Sequence, residues 1–171
     1  MTRLVGGMCA LRRYNGELQT LLIQNPYWHP ITGRPKRLAG EWVFPSSEAL
    51  SGENTLQAAT RAFKTKVFGK ATLYNPRKFT EFLYDKQTHD MRIDFYQANA
   101  DLPELPLFTG GRWMNPQRWI ELICSPEFTQ KQHRTFIQEG LARAEPPVDV
   151  RTRPTATLEA LLKLAIRTKP V

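Results

Sequence analysis

The stretch from residue 40 to residue 69 constrains the fold more than any other part of the chain. An apolar segment that ends at Pro45 is followed by a short polar loop and then by the pattern of an amphipathic helix. The apolar side chains of that helix recur at helical spacing: Leu56, Ala59, Phe63 and Val67. We predict that the helix is capped by Glu53 or Asn54 and runs to about Val67, with Gly69 as its stop. The order strand, loop, helix indicates a helix that buries one face against a sheet.

This stretch resembles the characteristic motif of the Nudix (MutT-like) family. In that motif a strand ending in Trp-x-x-Pro leads to a Gly-Gly loop, a Gly-Glu pair, and a helix carrying Arg-Glu-x-x-Glu-Glu before a final Gly. The framework residues fall at the family's spacing: Trp42, Pro45, Gly52, Glu53, Ala58, Ala59 and Arg61. The resemblance covers roughly residues 2–142 and implies an α/β (α+β) fold, an α/β/α sandwich with a mixed central sheet. It also implies that Glu53 pairs with Arg61.

The residues that carry the family's chemistry are replaced in this chain. The Gly-Gly pair is Ser46-Ser47, and the three helix carboxylates that bind magnesium in the family correspond to Ala62, Thr65 and Lys66. On a helix that turns about 100° per residue these three positions share one face, which we expect to lie next to the apolar stripe, at the rim of the buried surface. Acids there would form the oxygen-lined site that hard cations prefer. A methyl, a hydroxyl and an ammonium cannot hold magnesium in that way. We therefore expect neither the usual Nudix active site nor a metal cofactor.

The same region is strongly basic, because no acidic residue occurs between Asn54 and Thr80. Its cations are Arg61, Lys64, Lys66, Lys70, Arg77 and Lys78. A run of charge is often only a solvated helix face. The alternative is a direct phosphate-binding site that includes Arg61 and Lys64, in which Lys66 takes the place of a metal ion. The sequence leaves both readings open.

A second candidate site lies in residues 25–39, which are too rich in proline and glycine for regular structure. This segment interleaves aromatic and cationic side chains: Tyr27, Trp28, His29, Arg34, Lys36 and Arg37. Such a combination can stack bases and hold phosphates. It is equally compatible with a loop whose Trp28 packs on the domain while its basic tip is solvated.

Composition bounds the partners and the compartment. The 171 residues carry a formal net charge of +8, and the pI near 9.8 favours polyanionic partners such as nucleotides or RNA. Cys9 and Cys124 are isolated, so we expect neither a zinc site nor a disulfide framework, and a cytoplasmic or other reducing compartment fits. The apolar start at residues 4–11 is short and interrupted by glycines, which indicates a strand and no membrane span.

The remaining elements follow from local patterns. Asn15-Gly16 between residues 3–11 and 17–24 is a strong hairpin signal. We also predict strands at 72–84 and 91–98, helices at 116–123 and from Pro126 to about Ala144, and a last helix near 156–167. The domain then spans 1–144, followed by a proline-rich linker at 145–155 and a C-terminal helical segment at 156–171. Four side chains of this segment are expected to pack on the domain or on a protein partner: Leu158, Leu161, Leu162 and Ala165.

Three functions are compatible with these residues. The first is a Nudix-fold protein that binds a nucleotide or RNA phosphate without hydrolysing it. The second is a divergent pyrophosphohydrolase of nucleoside diphosphate-linked substrates, which would need magnesium held by displaced carboxylates: Glu48, Glu53, Asp85, Asp90 or Asp94. The third is a protein-interaction or regulatory module that uses the C-terminal helix. The oligomeric state is open.

Overall fold

A computed structural model describes residues 2–24, 41–67, 72–85, 90–101, 111–125 and 155–167. In these ranges the strands are β1 (Thr2–Tyr14), β2 (Glu17–Gln24), β3 (Trp42–Val43), β4 (Ser46–Glu48), β5 (Thr72–Asp85), β6 (Asp90–Asp101) and β7 (Gly111–Met114). The helices are α1 (Thr55–Lys66), α2 (Pro116–Ile123) and α3 (Ala156–Arg167). The chain forms two compact units, Met1–Ile23 with Phe44–Asn115 and Gln24–Val43 with Pro116–Val171. The predicted loop at 25–39, the helix at 126–144 and nearly all of the linker at 145–155 lie outside the described residues, so the predicted domain boundaries stay a prediction.

The first unit is built on a mixed sheet. Its strands lie in the order β2-β1-β6-β5, with β4 pairing to β1 and β7 pairing to β2. The β1–β6 pair is parallel, whereas β1–β2, β1–β4, β2–β7 and β5–β6 are antiparallel. The predicted mixed α+β architecture is therefore confirmed. The four predicted strands form as β1, β2, β5 and β6; β2 has the predicted limits and the other three are slightly longer.

The β1–β2 hairpin turns where the Asn-Gly signal placed it. Asn15 and Gly16 have φ angles of +50° and +76°, the two consecutive positive values that a tight hairpin turn of this twist requires. In β2 the side chains from Thr20 to Ile23 are buried, so the middle of this strand is covered on both faces. Thr20 satisfies its hydroxyl by donating to the Ala10 carbonyl at 2.9 Å.

Helix α1 begins and ends close to its predicted limits. The Asn54 side chain accepts from the Gln57 N–H at 2.8 Å, and the Gln57 side chain accepts from the Asn54 N–H at 2.9 Å, a reciprocal arrangement that satisfies donors at the helix start. The helix ends at Val67, whose N–H donates to the Phe63 carbonyl. Gly69, the predicted stop, lies outside the described residues.

The two faces of the sheet are covered differently. Helix α1 crosses β1 at Gly6, where an added Cβ atom would lie 1.9 Å from the Thr55 carbonyl oxygen, so only glycine permits this approach. On the opposite face the Phe95 ring lies over Gly7. Three further aromatic rings surround Phe95 at centroid distances of 5.6, 6.4 and 6.0 Å: Phe44, Phe79 and Phe82. These four rings form an aromatic cluster on the face of the sheet away from α1.

In the second unit α2 and α3 contact each other, and the Trp42 and Trp119 rings lie 5.2 Å apart. Helix α3 has the predicted limits but not quite the predicted stripe. Leu158 and Leu161 are buried, whereas Leu162 is 44% exposed and Leu164 is buried in its place. The prediction for Leu162 was wrong because the buried face of this helix is formed by positions 157, 158, 160, 161 and 164, which leaves Leu162 at its edge.

Two further features of the described residues concern membrane-spanning helices and disulfides. None of their helices has the length and apolar character needed to cross a membrane. Cys9 and Cys124 are not joined in a disulfide.

Candidate functional site

An ion pair holds the loop between β4 and α1. Arg61 donates from Nε to Glu53 Oε2 at 3.0 Å and from Nη2 to Glu53 Oε1 at 2.9 Å. The same Nη2 donates to the Glu48 carbonyl at 2.8 Å, and the Leu50 N–H donates to Glu53 Oε1 at 3.1 Å. The expected Glu53–Arg61 pair is thus confirmed. Its hydrogen bonds join the start of the loop, the loop itself and the middle of the helix.

We predict that acid will weaken this loop. The hydrogen bonds from Arg61, followed by that from the Leu50 N–H, hold the pKa of Glu53 below its ordinary value of 4.5. A carboxyl group whose folded pKa is lowered stabilises the fold above its unfolded pKa, and this contribution is lost as pH falls through the folded value. The urea midpoint of the native protein should fall as the pH is lowered from neutral to below 4.5, the ordinary pKa of this carboxyl group. The urea midpoint of Glu53→Gln should lie below that of the native protein at neutral pH, and the difference should shrink as the pH falls. A difference that does not change with pH would contradict a stabilising role for ionised Glu53.

The three positions that replace the family's acids differ in their surroundings. Ala62 is only 1% exposed, so the expectation that it lies on the rim beside Thr65 and Lys66 was wrong, because α1 buries this methyl group together with Phe63. Thr65 is exposed and donates its hydroxyl to the Arg61 carbonyl at 2.6 Å. Lys66 is half-buried, and its ammonium donates to the Ser46 carbonyl at the start of β4.

The carboxylates considered as displaced metal ligands do not come together in one cluster among the described residues. Glu48 accepts from Arg3 Nε at 2.9 Å and forms a second ion-pair contact with the same guanidinium. Asp85 and Asp90 face each other at the start of the β5–β6 pairing. Among the residues that the structure describes, no three His, Cys, Asp or Glu side chains lie close enough to hold a metal ion.

Asp94 is the one buried member of this set, at 2% exposure. It accepts the Thr55 hydroxyl at 2.7 Å and lies 3.2 Å from Arg92 Nε and 3.4 Å from Lys78 Nζ. Thr55 also lies 2.7 Å from the Tyr96 hydroxyl. Asp94 therefore joins the first turn of α1 to β6 and β5, and its surroundings are those of a structural ion cluster.

Three of the predicted phosphate-binding residues lie within the described part of α1, and the others named below do not. Arg61 is used in the Glu53 pair, Lys66 reaches Ser46, and Lys64 is exposed about one helical turn after Arg61 on α1. Lys70 lies outside the described residues, as do all the candidates of the 25–39 loop, namely Tyr27, Trp28, His29, Arg34, Lys36 and Arg37.

An aromatic and cationic cluster escaped the sequence analysis. The Arg12 guanidinium lies 4.9 Å from the Tyr14 ring centroid and 4.5 Å from that of Trp113. Its Nε donates to Gln19 Oε1 at 2.9 Å, and burial lowers the pKa of Arg12. Arg12 and Tyr14 alternate along β1 and so share a face, which was visible in the sequence. The contact with Trp113 required knowledge of the β2–β7 pairing.

Solved structures with similar folds include three informative relatives. The C. elegans Ap4A hydrolase matches with a TM-score of 0.53 and 18% identity, over 81% of this chain and 98% of that one. The Nudix domain of Shewanella oneidensis NrtR in complex with ADP-ribose matches with a TM-score of 0.55 and 14% identity, over 82% and 89%. The Nudix hydrolase RenU of M. smegmatis matches with a TM-score of 0.51 and 18% identity, over 84% and 88%. The chain has the Nudix fold.

No protein-family model matches the sequence, and no curated protein matches it. At these identities the relatives establish the architecture alone. Within the Nudix fold, four of the residues that this chain shares with the family motif have structural roles in the first unit. Glu53 and Arg61 fix the loop, and Ala58 and Ala59 are fully buried where α1 meets the sheet.

Proposed function

We propose that this Nudix-fold protein binds the phosphate of a nucleotide or RNA through Lys66, with Lys64 adding positive charge to the same helix, and without magnesium-dependent hydrolysis. The observation that carries the proposal is the hydrogen bond from the Lys66 ammonium to the Ser46 carbonyl. Backbone carbonyl oxygens are typical ligands of hard cations. At this carbonyl the chain supplies its own positive charge, at a helix position where the family has an acid.

Two features favour a phosphate as the ligand of this charge. A lysine ammonium has three N–H donors, so it can donate to Ser46 and still bind a phosphate oxygen. Lys64 is exposed on the same helix, and α1 has no acidic residue to oppose these charges. Single-sign charge of this kind attracts polyanions and raises their local concentration.

Reversal of the charge at Lys66 provides the test. We expect Lys66→Glu to weaken the binding of a labelled single-stranded RNA and of ADP-ribose by about tenfold or more, since a good phosphate contact is worth about 1.4 kcal/mol or more. Lys66→Met removes the charge without adding a carboxylate and should act in the same direction. Fluorescence anisotropy and calorimetry at two salt concentrations give both affinity and its salt dependence.

The matched control is Lys163→Glu, which makes the same change of charge at an exposed position of α3. Equal losses for Lys66→Glu and Lys163→Glu would mean that net charge alone drives binding, and the proposal would fail. The native protein should release no product from Ap4A or ADP-ribose with magnesium or manganese. Turnover that disappears in Glu53→Gln would favour the hydrolase alternative.

A further inference from the structure

An irregularity in β5 opens a pocket of about 160 Å³ in the sheet. Tyr74 pairs with Asn99 and Arg77 pairs with Gln97 on β6, so Asn75 and Pro76 together oppose the single residue between these partners. Asn75 takes a φ angle of +51° at this point. A bulge of this kind bends the strand and redirects the side chains beside it. Here the bulge lies beside a concave site that is lined by residues of β5, β6 and β1.

Polar side chains from two strands, β5 and β6, line this pocket. With the Gln97 amide oxygen turned toward its donors, Arg77 donates to it from Nε and Nη2 at 2.9 and 3.0 Å. This pair fixes one edge of the guanidinium. The other edge, together with the amides of Asn75 and Asn99, has no hydrogen-bond partner among the described residues, and all three residues line the pocket. Leu11 adds an apolar wall.

The pocket is separate from the proposed phosphate site. Gln97 and Asn99 lie on the same face of β6 as Phe95, because side chains alternate along a strand. Phe95 covers Gly7, whereas α1 covers Gly6 on the other face. The pocket therefore opens on the face of the sheet away from α1 and Lys66, so a ligand can occupy it without touching that helix.

We propose that this pocket binds the edge of a purine base, with guanine preferred to adenine. The free edge of the Arg77 fork matches two adjacent acceptors, and guanine presents such a pair in O6 and N7. Adenine presents one acceptor and one amino group there, which an arginine cannot satisfy. The Asn75 and Asn99 amides supply both donors and acceptors for the remaining polar atoms of the ring, and Leu11 gives its plane an apolar contact.

The dimensions limit what the pocket can hold. Sites for drug-sized ligands usually have volumes of about 300–1,000 Å³, whereas this one has about 160 Å³. It accommodates one ring system and not a whole nucleotide. The sugar and phosphate must therefore project out of it, which is possible both for a free nucleotide and for a base within an RNA strand.

The test compares guanosine with adenosine, neither of which carries a phosphate. Chemical-shift titration of the native protein should give a lower dissociation constant for guanosine, with shifts at Arg77, Gln97 and Asn99. Arg77→Lys keeps the charge but loses the bidentate fork, so it should weaken guanosine binding by about tenfold, the size expected for one bidentate contact. Asn75→Gly removes an amide at a φ angle that glycine adopts readily and should weaken binding several-fold without unfolding the chain.

Three outcomes would overturn the inference. These are equal affinities for guanosine and adenosine, an unchanged guanosine affinity in Arg77→Lys, and displacement of guanosine by inorganic phosphate, which would indicate an anion site. Guanosine binding should be unaffected by Lys66→Glu, so failure at this pocket is distinct from failure at the phosphate site. A guanine-containing oligonucleotide that binds more tightly than a guanine-free one of equal length would place the base in RNA, whereas tight binding of GMP alone would indicate a nucleotide.

Discussion

Replacing Gly6 by alanine should lower the free energy of unfolding by at least about 3 kcal/mol, the upper part of the range for overpacked cores, or prevent folding. The added methyl group would lie 1.9 Å from the Thr55 carbonyl oxygen and 2.8 Å from the Ala59 nitrogen. Both atoms belong to the backbone of α1, so no side-chain rotation relieves the contact and the helix must move away from β1. Urea unfolding followed by far-ultraviolet circular dichroism measures the loss.

The neighbouring Gly7→Ala variant is the control. Its methyl group would meet the Phe95 ring at 2.5 Å, but a side chain can shift where a helix backbone cannot. We expect a smaller loss for Gly7→Ala, of about 1–2 kcal/mol. Native stability in Gly6→Ala would contradict the close packing of α1 on β1. If the variant folds, it should also bind nucleotide more weakly, because displacement of α1 moves Lys66 away from Ser46.

Local chemistry explains why much of the first unit could be predicted from the sequence. The Asn15-Gly16 turn, the cap at Asn54 and the apolar spacing of α1 are short-range signals, and each produces the predicted element at nearly the predicted residues. The Glu53–Arg61 pair was reached through the family resemblance instead, since the two residues are eight positions apart and nothing in their spacing requires contact across a loop.

Predictions that depended on tertiary packing were less successful. Helical spacing placed Ala62 beside a rim that includes Lys66, but how far a helix sinks into its neighbours depends on the sheet beneath it. The Gly6 contact brings α1 very close to β1, and the Ala62 methyl group is buried as a result. The same reasoning applies to Asn75-Pro76, which interrupts a strand that was predicted as continuous. A bulge is defined by the register of the partner strand, and that register is not encoded locally.

The burial of Asp94 also required the structure, since a carboxylate in a strand is exposed far more often than buried. Its sequence position suggested a ligand for a displaced metal site. Instead it lies under the first turn of α1, between two cations and a threonine hydroxyl. Strand β5 and helix α1 must both be packed against β6 before these contacts exist.

Asp94→Ala should therefore destabilise the fold by about 2–4 kcal/mol, somewhat less than the usual loss for a broken buried ion pair, because Arg92 and Lys78 are 37% and 43% exposed and can be rehydrated in part. The Thr55 hydroxyl loses an acceptor in the same change. Asp94→Asn keeps the volume and an acceptor for Thr55 but removes the charge, so it should fall between native and alanine. Urea denaturation measures all three.

Glu81→Ala is the matched control, since Glu81 pairs with the same Lys78 at 2.7 Å but is 49% exposed. Exposed pairs contribute about 0–1 kcal/mol, so this variant should unfold close to the native midpoint. Asp94→Asn should lower stability if Asp94 has a structural role, and should lower hydrolysis if Asp94 ligates a metal. If Asp94→Asn left the unfolding midpoint unchanged and abolished a magnesium-dependent hydrolysis, Asp94 would be a catalytic ligand and the non-hydrolytic function would be wrong. From the ion cluster around Asp94 we expect Asp94→Asn to be less stable than the native protein, and we expect no hydrolysis by either of the two.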